Sequence, residues 1–304
     1  MDHPLRSKDY KLLRGRVVQI LREGFHIRRQ SNIVFVCGGN NPEKHLRKKF
    51  QLEFSKHLPN HEFFEPEFAM NSYFGLGDEV PFNISEFEEL VGQLSHSIVI
   101  FPEAPGSFAE TGYFSARPSL AKKIILVIDF KRQKSDSFIS LGPAKQIQDM
   151  SKFQPNIQFD YESHDFSIIS KRINERSPLS KTKKSFEVKT FKLIEPFELF
   201  CLIHQLVKIL QIATTEDIEF FLMSLFKGIV NKSKIKQMIS ILVGAKKLVE
   251  IGDFGHLAIH ENESGLLSLK DGAKTEHDVL SLDISASFIS ADSEFRDVLN
   301  RKIQ

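Results

Sequence analysis

Apolar positions along this chain change period several times, and each change marks an element. Over residues 10–29, Leu12, Leu13, Val17, Ile20 and Leu21 recur at helical spacing among Arg14, Arg16, Arg22, Arg28 and Arg29, which predicts a basic amphipathic helix. At Ile33–Cys37 the pattern becomes a short apolar run rich in β-branched residues, followed by Gly38-Gly39 and Asn41-Pro42. That order reads as strand, glycine turn and a helix capped by Asn41 that continues to about residue 58. A short strand near 63–64 precedes a long polar loop with Gly75, Gly77, Asp78 and Glu79. Ser85-x-x-Glu88 then forms a capping box ahead of Phe87, Leu90, Val91 and Leu94 on one helix face. Residues 98–101 read as a strand, 108–116 as a helix, and 124–128 as the continuous apolar run of a strand covered on both faces. This alternation predicts an α/β fold, a Rossmann-like doubly wound parallel sheet with its ligand crevice at the carboxyl ends of the strands.

Periodicity fades at 132–140 and again at 177–185, where Pro178, Lys181, Lys183 and Lys184 mark a linker. Beyond it, apolar helical patterns at 196–210, 214–226 and 233–248 precede two short runs, 249–251 and 256–259, that flank Gly252-Asp253-Phe254-Gly255. Three helices and a hairpin predict a smaller winged-helix-like domain. The expected organisation is a basic helical segment at 1–30, the α/β domain at 31–176, a linker at 177–192 and the winged-helix-like domain with its tail at 193–304.

Charge narrows the partners only slightly. With 41 basic and 39 acidic side chains the net charge is +2, so contact with nucleic acid requires local clustering. Lys232, Lys234 and Lys236 open the third helix of the C-terminal module, where a DNA-reading helix would place phosphate contacts; a solvated face explains them nearly as well. Cys37 and Cys201 are far apart, each within an apolar run, and read as core residues. The 28 phenylalanines fall on core faces of the expected elements. No apolar stretch approaches the roughly 20 residues of a membrane-spanning helix, which predicts a cytoplasmic protein with no membrane contact. His45, His57 and His96 lack metal-ligand spacing, so no metal is expected.

The candidate chemistry sits after 98–101. Pro105-Gly106-Ser107 opens a helix whose first N–H groups favour an anion and whose Gly106 lets a ligand approach the backbone. Glu110, about one turn in, can face the crevice, and a carboxylate there suits the positive charge that builds on a sugar's anomeric carbon as an N-glycosidic bond breaks. An ordinary acid in a helix's first turns is the plainer alternative for Glu110. Ser107 reads as N-cap and as phosphate or sugar contact. Asp78 and Glu79 are candidates for holding ribose hydroxyls or base, with helix-flanking acids as the even alternative. Glu103 is either an acid of the site or a solvated side chain. Gly38-Gly39 lacks a full G-x-G-x-x-G and does not support redox dinucleotide binding.

Gly106-Ser107-Phe108-Ala109-Glu110-Thr111-Gly112-Tyr113-Phe114, followed by Lys123-Ile124-Ile125-Leu126-Val127, resembles the nucleophile region of nucleoside 2-deoxyribosyltransferases over roughly residues 30–130. The resemblance implies that Glu110 forms the covalent sugar intermediate and that Gly38-Gly39 is the first ligand-side loop. The family's aspartate six residues before the glutamate falls on Ala104, with Glu103 adjacent, so the leaving base lacks that proton donor. Combined with a winged-helix-like module, the whole chain resembles the ribosyltransferase/DNA-binding effectors of bacterial retron antiphage systems. That resemblance implies a retron reverse transcriptase and its multicopy single-stranded DNA/RNA as partners, NAD as candidate substrate with no cofactor, and a homo-oligomer. Two other expectations remain open: base-to-base ribosyl transfer, and a non-catalytic nucleotide-sensing DNA-binding regulator.

Overall fold

The computed structural model describes residues 2–28, 30–64, 67, 84–252, 255–260, 266–291 and 293–303. These fall into two compact units, 30–64 with 84–180, and 2–28 with the described residues from 181 onward. In chain order the elements are α1 (Lys11–Glu23), β1 (Phe25–Arg28), β2 (Ile33–Cys37), α2 (Leu46–His57), β3 (Glu62–Phe64), α3 (Ile84–Leu94), β4 (Ser97–Ile100), α4 (Pro105–Ser115), α5 (Pro118–Ala121), β5 (Ile124–Asp129), α6 (Lys145–Met150), β6 (Ile157–Phe159) and α7 (Ser167–Arg176). They continue with β7 (Lys183–Ser185), α8 (Pro196–Leu210), α9 (Thr215–Leu225), α10 (Lys232–Gly244), β8 (Leu248–Ile251), β9 (His256–Ile259), β10 (Leu267–Leu269), α11 (Lys274–Ser287) and α12 (Ser293–Ile303).

The first unit is a Rossmann-like α/β layer structure around a five-stranded parallel sheet in the order β3-β2-β4-β5-β6. Every residue of β2, β4 and β5 is buried, as unbroken apolar strands covered on both faces require. On one face Val34, Val36, Val99 and Val127 pack against Phe50 and Phe54 of α2 and Ile169 and Ile173 of α7. On the other, Phe114 of α4 meets Phe35 edge-on at 6.0 Å. A Cβ on Gly92 of α3 would lie 3.0 Å from Leu120 and 3.2 Å from Ile98, so glycine there lets α3 sit close to the sheet. From β2 the chain steps outward to β3 and then returns past β2 to β4. The strand order reverses at the carboxyl ends of β2 and β4, the topological position at which open α/β sheets form the crevice for their ligands.

Several boundaries differ from the sequence pattern for local physical reasons. The first helix stops at Glu23, and Phe25–Arg28 is the central strand of an antiparallel sheet in the order β10-β1-β7. Phe25 and Ile27 are both buried there, a period-two pattern that the surrounding arginines obscure. Lys183–Ser185, inside the stretch read as linker, is the edge strand beside it. Asn41 does not cap α2: its Oδ1 accepts the N–H groups of Glu43 and Lys44 at 3.0 and 3.1 Å, closing a separate turn before the helix begins at Leu46. Ser85 lies within the first turn of α3 and not ahead of it.

In the second unit α8 is buried along most of its length and packs with α10, β9 and α1. The arginines of α1 hold this unit together. Arg14 donates to the Leu5 carbonyl at 2.7 Å and Arg22 to the Leu225 carbonyl at 3.0 Å, while Arg16 pairs with Glu276 and Asp283. Asp217 is fully buried. It accepts the His3 N–H at 3.1 Å and the Thr214 N–H and hydroxyl at 2.9 and 3.0 Å, so it both anchors the N-terminal segment and closes the capping box of α9. Among the described residues no helix is long and apolar enough to cross a membrane.

Four histidines stay neutral in this fold. Burial lowers His96 and His3 to about 4, His204 to about 3, and His61 below its ordinary 6.5. Below 6.5 the unfolded chain therefore binds more protons than the folded one, and stability falls as pH drops from 6.5 toward 4. The expected loss is on the order of 1 kcal/mol per pH unit for each of His3, His96 and His204, the three that burial lowers furthest. Denaturant midpoints measured across that range will show the slope, and His204→Leu, which removes a fully buried ring, is expected to flatten it.

Candidate functional site

Glu110 reaches the crevice through the packing of α4 on β2. Phe114 rests on Phe35, and helix positions four apart share a face, as do strand positions two apart. One turn back on α4 and two residues onward in β2, Glu110 therefore stands over Cys37. The Cys37 thiol is buried at the strand's carboxyl end and hydrogen-bonds with the Glu110 carboxylate. Burial holds that thiol well above its ordinary range, the negative charges of Glu110 and then Glu88 raise it further, and the Arg47 guanidinium opposes them. The charges of two carboxylates from different helices thus act on one buried thiol. Their helices are pinned to each other. The Tyr113 hydroxyl of α4 donates to Glu89 of α3 at 3.2 Å, and Arg117 donates to the same Glu89 oxygen at 2.8 Å with its guanidinium stacked 3.3 Å over the Tyr113 ring.

The turn before Glu110 is held by Ser107. Its buried hydroxyl accepts the N–H groups of Glu103 and Ala104 at 3.1 and 3.0 Å and donates to the Ala104 carbonyl at 2.9 Å. Ser107 is the third residue of α4 and not its N-cap, which is Ala104. The hydroxyl shapes the backbone that a ligand would meet. Gly106 is exposed, and a Cβ there would find nothing within 4 Å, so the backbone at this corner is open to approach.

Glu103 joins the two loops of the crevice. Its carboxylate accepts N–H groups from Gly39 at 3.0 Å, Leu46 at 2.7 Å and Arg47 at 3.1 Å. Gly38 and Gly39 are glycines because of this closeness: a Cβ on Gly38 would lie 2.7 Å from Arg47 and 2.8 Å from the Glu103 carboxylate, and one on Gly39 would collide with the His45 ring. Arg47 itself is buried, with its Nε donating to the Gly39 carbonyl at 3.2 Å. Further along the rim, the Tyr161 hydroxyl donates to the Val127 carbonyl at 2.7 Å, and burial followed by the charges of Glu103 and Asp129 raises its pKa.

The structure thus gathers Glu110, Glu103, Gly38, Gly39, Gly106 and Ser107 around one end of the sheet. Asp78 and Glu79 lie outside the described residues. The three C-terminal lysines belong to the other unit and differ from one another. Lys232 is paired with Glu219 at 2.9 Å, Lys234 is partly buried with its pKa lowered by that burial, and Lys236 is exposed. Sequence reasoning missed Arg47 and Glu88 as crevice groups and took Cys37 for plain core. The signal for them was positional: Cys37 is the last residue of the first strand, and Arg47 the second of the helix that follows.

A model of the STM3845 retron effector protein family matches residues 43–250, more than half of the chain. The chain belongs to that family. The match takes in Arg47, Glu88, Glu103 and Glu110 and runs through α10. Two Escherichia coli proteins are also similar. The retron Ec86 protein, named for ribosyltransferase and DNA-binding roles, is 30% identical over 133 residues, 42% of each chain. The similarly named retron Ec73 protein is 33% identical over 122 residues, 39% of each. These matches span less than half the length of either relative.

The juxtaposition in this retron effector has a direct electrostatic consequence. Replacing Glu110 by Gln removes a negative charge beside the Cys37 thiol, so the thiol's pKa is expected to fall while remaining elevated by burial. The Raman S–H band followed against pH in a Cys201→Ala background isolates this one group, since no tyrosine contributes to it. An unchanged midpoint would place Glu110 away from Cys37.

Proposed function

We propose that this retron effector cleaves an N-glycosidic bond, with NAD as its substrate, and that the cleavage is the toxic output of an antiviral defence system. The observation that carries the reading is the Glu110 carboxylate beside Cys37 at the reversal point of the sheet. A nucleotide seated with its ribose over β2 and its phosphate toward Gly106 and the first turn of α4 presents C1′ to Glu110. As the C1′–N bond lengthens, positive charge develops on C1′ and the ring oxygen, and a pocket carrying Glu110 and Glu88 stabilises it. Carboxylate attack forms a C1′–O bond as C1′–N breaks, and water then releases the sugar.

Leaving-group chemistry favours NAD. Nicotinamide departs from a pyridinium as a neutral molecule and takes up no proton, so Ala104 in place of an aspartate costs this reaction nothing. A purine or pyrimidine does need a proton, and Glu88 is then the carboxyl group for that task. The ribosyltransferase in the names of the Ec86 and Ec73 relatives favours a second reading, in which an acceptor other than water takes the sugar.

For the second unit we propose a winged-helix-like role for α8, α9, α10 and the β8–β9 hairpin. Its partners would be the retron's reverse transcriptase and multicopy single-stranded DNA, within a homo-oligomeric assembly.

Glu110→Gln is expected to lower nicotinamide release by about a thousandfold or more, with thermal unfolding and partner association retained. Glu88→Gln is expected to slow base release from deoxynucleosides more than NAD cleavage, which loses only the charge stabilisation that Glu88 adds to that of Glu110. Chromatography of products, with and without the reverse transcriptase and its DNA, reads both. Undiminished turnover by Glu110→Gln would overturn the assignment, and base exchange without hydrolysis would favour transfer. Lys234→Ala with Lys236→Ala is expected to weaken nucleic-acid binding and to reduce its log–log salt slope by roughly one for each phosphate no longer neutralised.

A further inference from the structure

The α/β unit carries a cavity whose walls share no residue with the surroundings of Cys37. A cavity of about 590 Å³ opens between the β5–β6 edge, the loop after β5 and the helical turns leading into α6, a size typical of small-molecule sites. Its floor is the registered pair Ile128 and Gln158. Its roof is a π-helical turn at Ser140–Ala144 with Pro143 inside it, a widening of the helix that is frequent at functional sites.

The lining has a consistent chemistry. Lys134 and Lys145 contribute two cations against a single acid, Asp149. Among the described residues the side chains of Lys134, Lys145, Gln148 and Gln158 make no hydrogen bond or ion pair within the protein. Phe130 is 54% exposed at the cavity wall, where an aromatic ring gains nothing from water. An unpartnered aromatic face suits a base, carboxamides match the paired donors and acceptors of a base edge, and two ammonium groups suit a phosphate.

We propose that this cavity binds a phosphorylated nucleoside, its base against Phe130 and the carboxamides of Gln148 and Gln158, its phosphate on Lys134 and Lys145. The ligand is either a free nucleotide or one nucleotide unit of a single strand. The site is not isolated from the crevice. Gln133, also in the wall, donates to the Pro102 carbonyl at 3.0 Å, immediately before the Glu103 that joins the crevice loops. An occupant therefore abuts the residue that buttresses that turn.

The test uses full-length Glu110→Gln protein, in which turnover is removed, titrated with AMP, adenosine, inorganic phosphate and a short single-stranded oligodeoxynucleotide. AMP or the oligonucleotide is expected to bind more tightly than adenosine or phosphate. Lys134→Glu with Lys145→Glu is expected to weaken that binding about tenfold or more. A bromo-substituted base is expected to crosslink to the peptide that carries Phe130. Binding by AMP alone identifies a free nucleotide, binding by the oligonucleotide alone a strand, and either supports the site. Unchanged affinity in the double variant, or phosphate competing as well as AMP, overturns it. NAD cleavage assayed in Lys134→Glu/Lys145→Glu with Glu110 intact reports on the crevice separately, so failure of one site is not read as failure of the other.

Discussion

Three backbone N–H groups converge on the Glu103 carboxylate, and the candidate site is built around that clamp. The strand order reverses at β2 and β4, so the loops leaving these neighbouring strands diverge to opposite sides of the sheet. Glu103, on the β4 loop, binds Gly39 in the β2 loop and the first two N–H groups of α2. These are donors that a helix cannot satisfy internally, and a carboxylate at a helix N-terminus also meets the positive end of its dipole. Hydrogen bonds to charged groups contribute about 1.5–3 kcal/mol each, less where the carboxylate is partly exposed, and three of them tie the β4 loop to the β2 loop and α2. The glycine pair follows from the same clamp, since any side chain there would displace Arg47, Glu103 or His45. Glu103, read from the sequence as either an acid of the site or a solvated side chain, thus also has an architectural role.

With the rim fixed, the electrostatics of the crevice favour one kind of chemistry. Glu110 and Glu88 act on Cys37 with the same sign, and Arg47 offsets them only in part. Burial, the first cause of the raised Cys37 thiol, disfavours charge of either sign, while the Glu110 and Glu88 carboxylates, its next causes, favour a cation over an anion. An oxocarbenium-like sugar is such a cation, whereas an oxyanion would meet repulsion. The same surroundings keep Cys37 protonated and unsuited to act as a nucleophile. The thiol is instead a hydrogen-bond partner for Glu110.

Much of the α/β unit is legible in the sequence because its signals are local. The apolar runs of β2 and β5, the helix face of Phe87, Leu90, Val91 and Leu94, and the turn before Glu110 each declare themselves within ten residues. What escapes is what distant pairing decides. Phe25–Arg28 looks like the end of a basic helix until Leu267–Leu269 and Lys183–Ser185 pair with it from either side, and no period within residues 10–29 carries that information. The site divides in the same way. Glu110 stands out by its place in a glycine-bounded turn, but Arg47 and Glu88 lie within ordinary helical patterns, and only the packing of α2 and α3 on the sheet brings them to Cys37. Ser107 was legible as a capping residue and misplaced by three positions, because its hydroxyl reaches backward and lets the helix begin at Pro105.

The basic residues of the second unit constrain how that unit can recognise a partner. Arg14, Arg16 and Arg22 are committed to carbonyls and carboxylates within the unit, Lys184 to Glu198 at 2.9 Å, and Lys232 to Glu219. A side chain already paired must give up that partner before it neutralises a phosphate, and the counterion release it contributes is offset by the bond it loses. Of the three lysines opening α10, that leaves Lys236 as the exposed one and Lys234 as a partly buried one. These pairings take Arg14, Arg16, Arg22, Lys184 and Lys232 out of the charge that the unit could offer a phosphate, so any such contact falls to its other basic side chains.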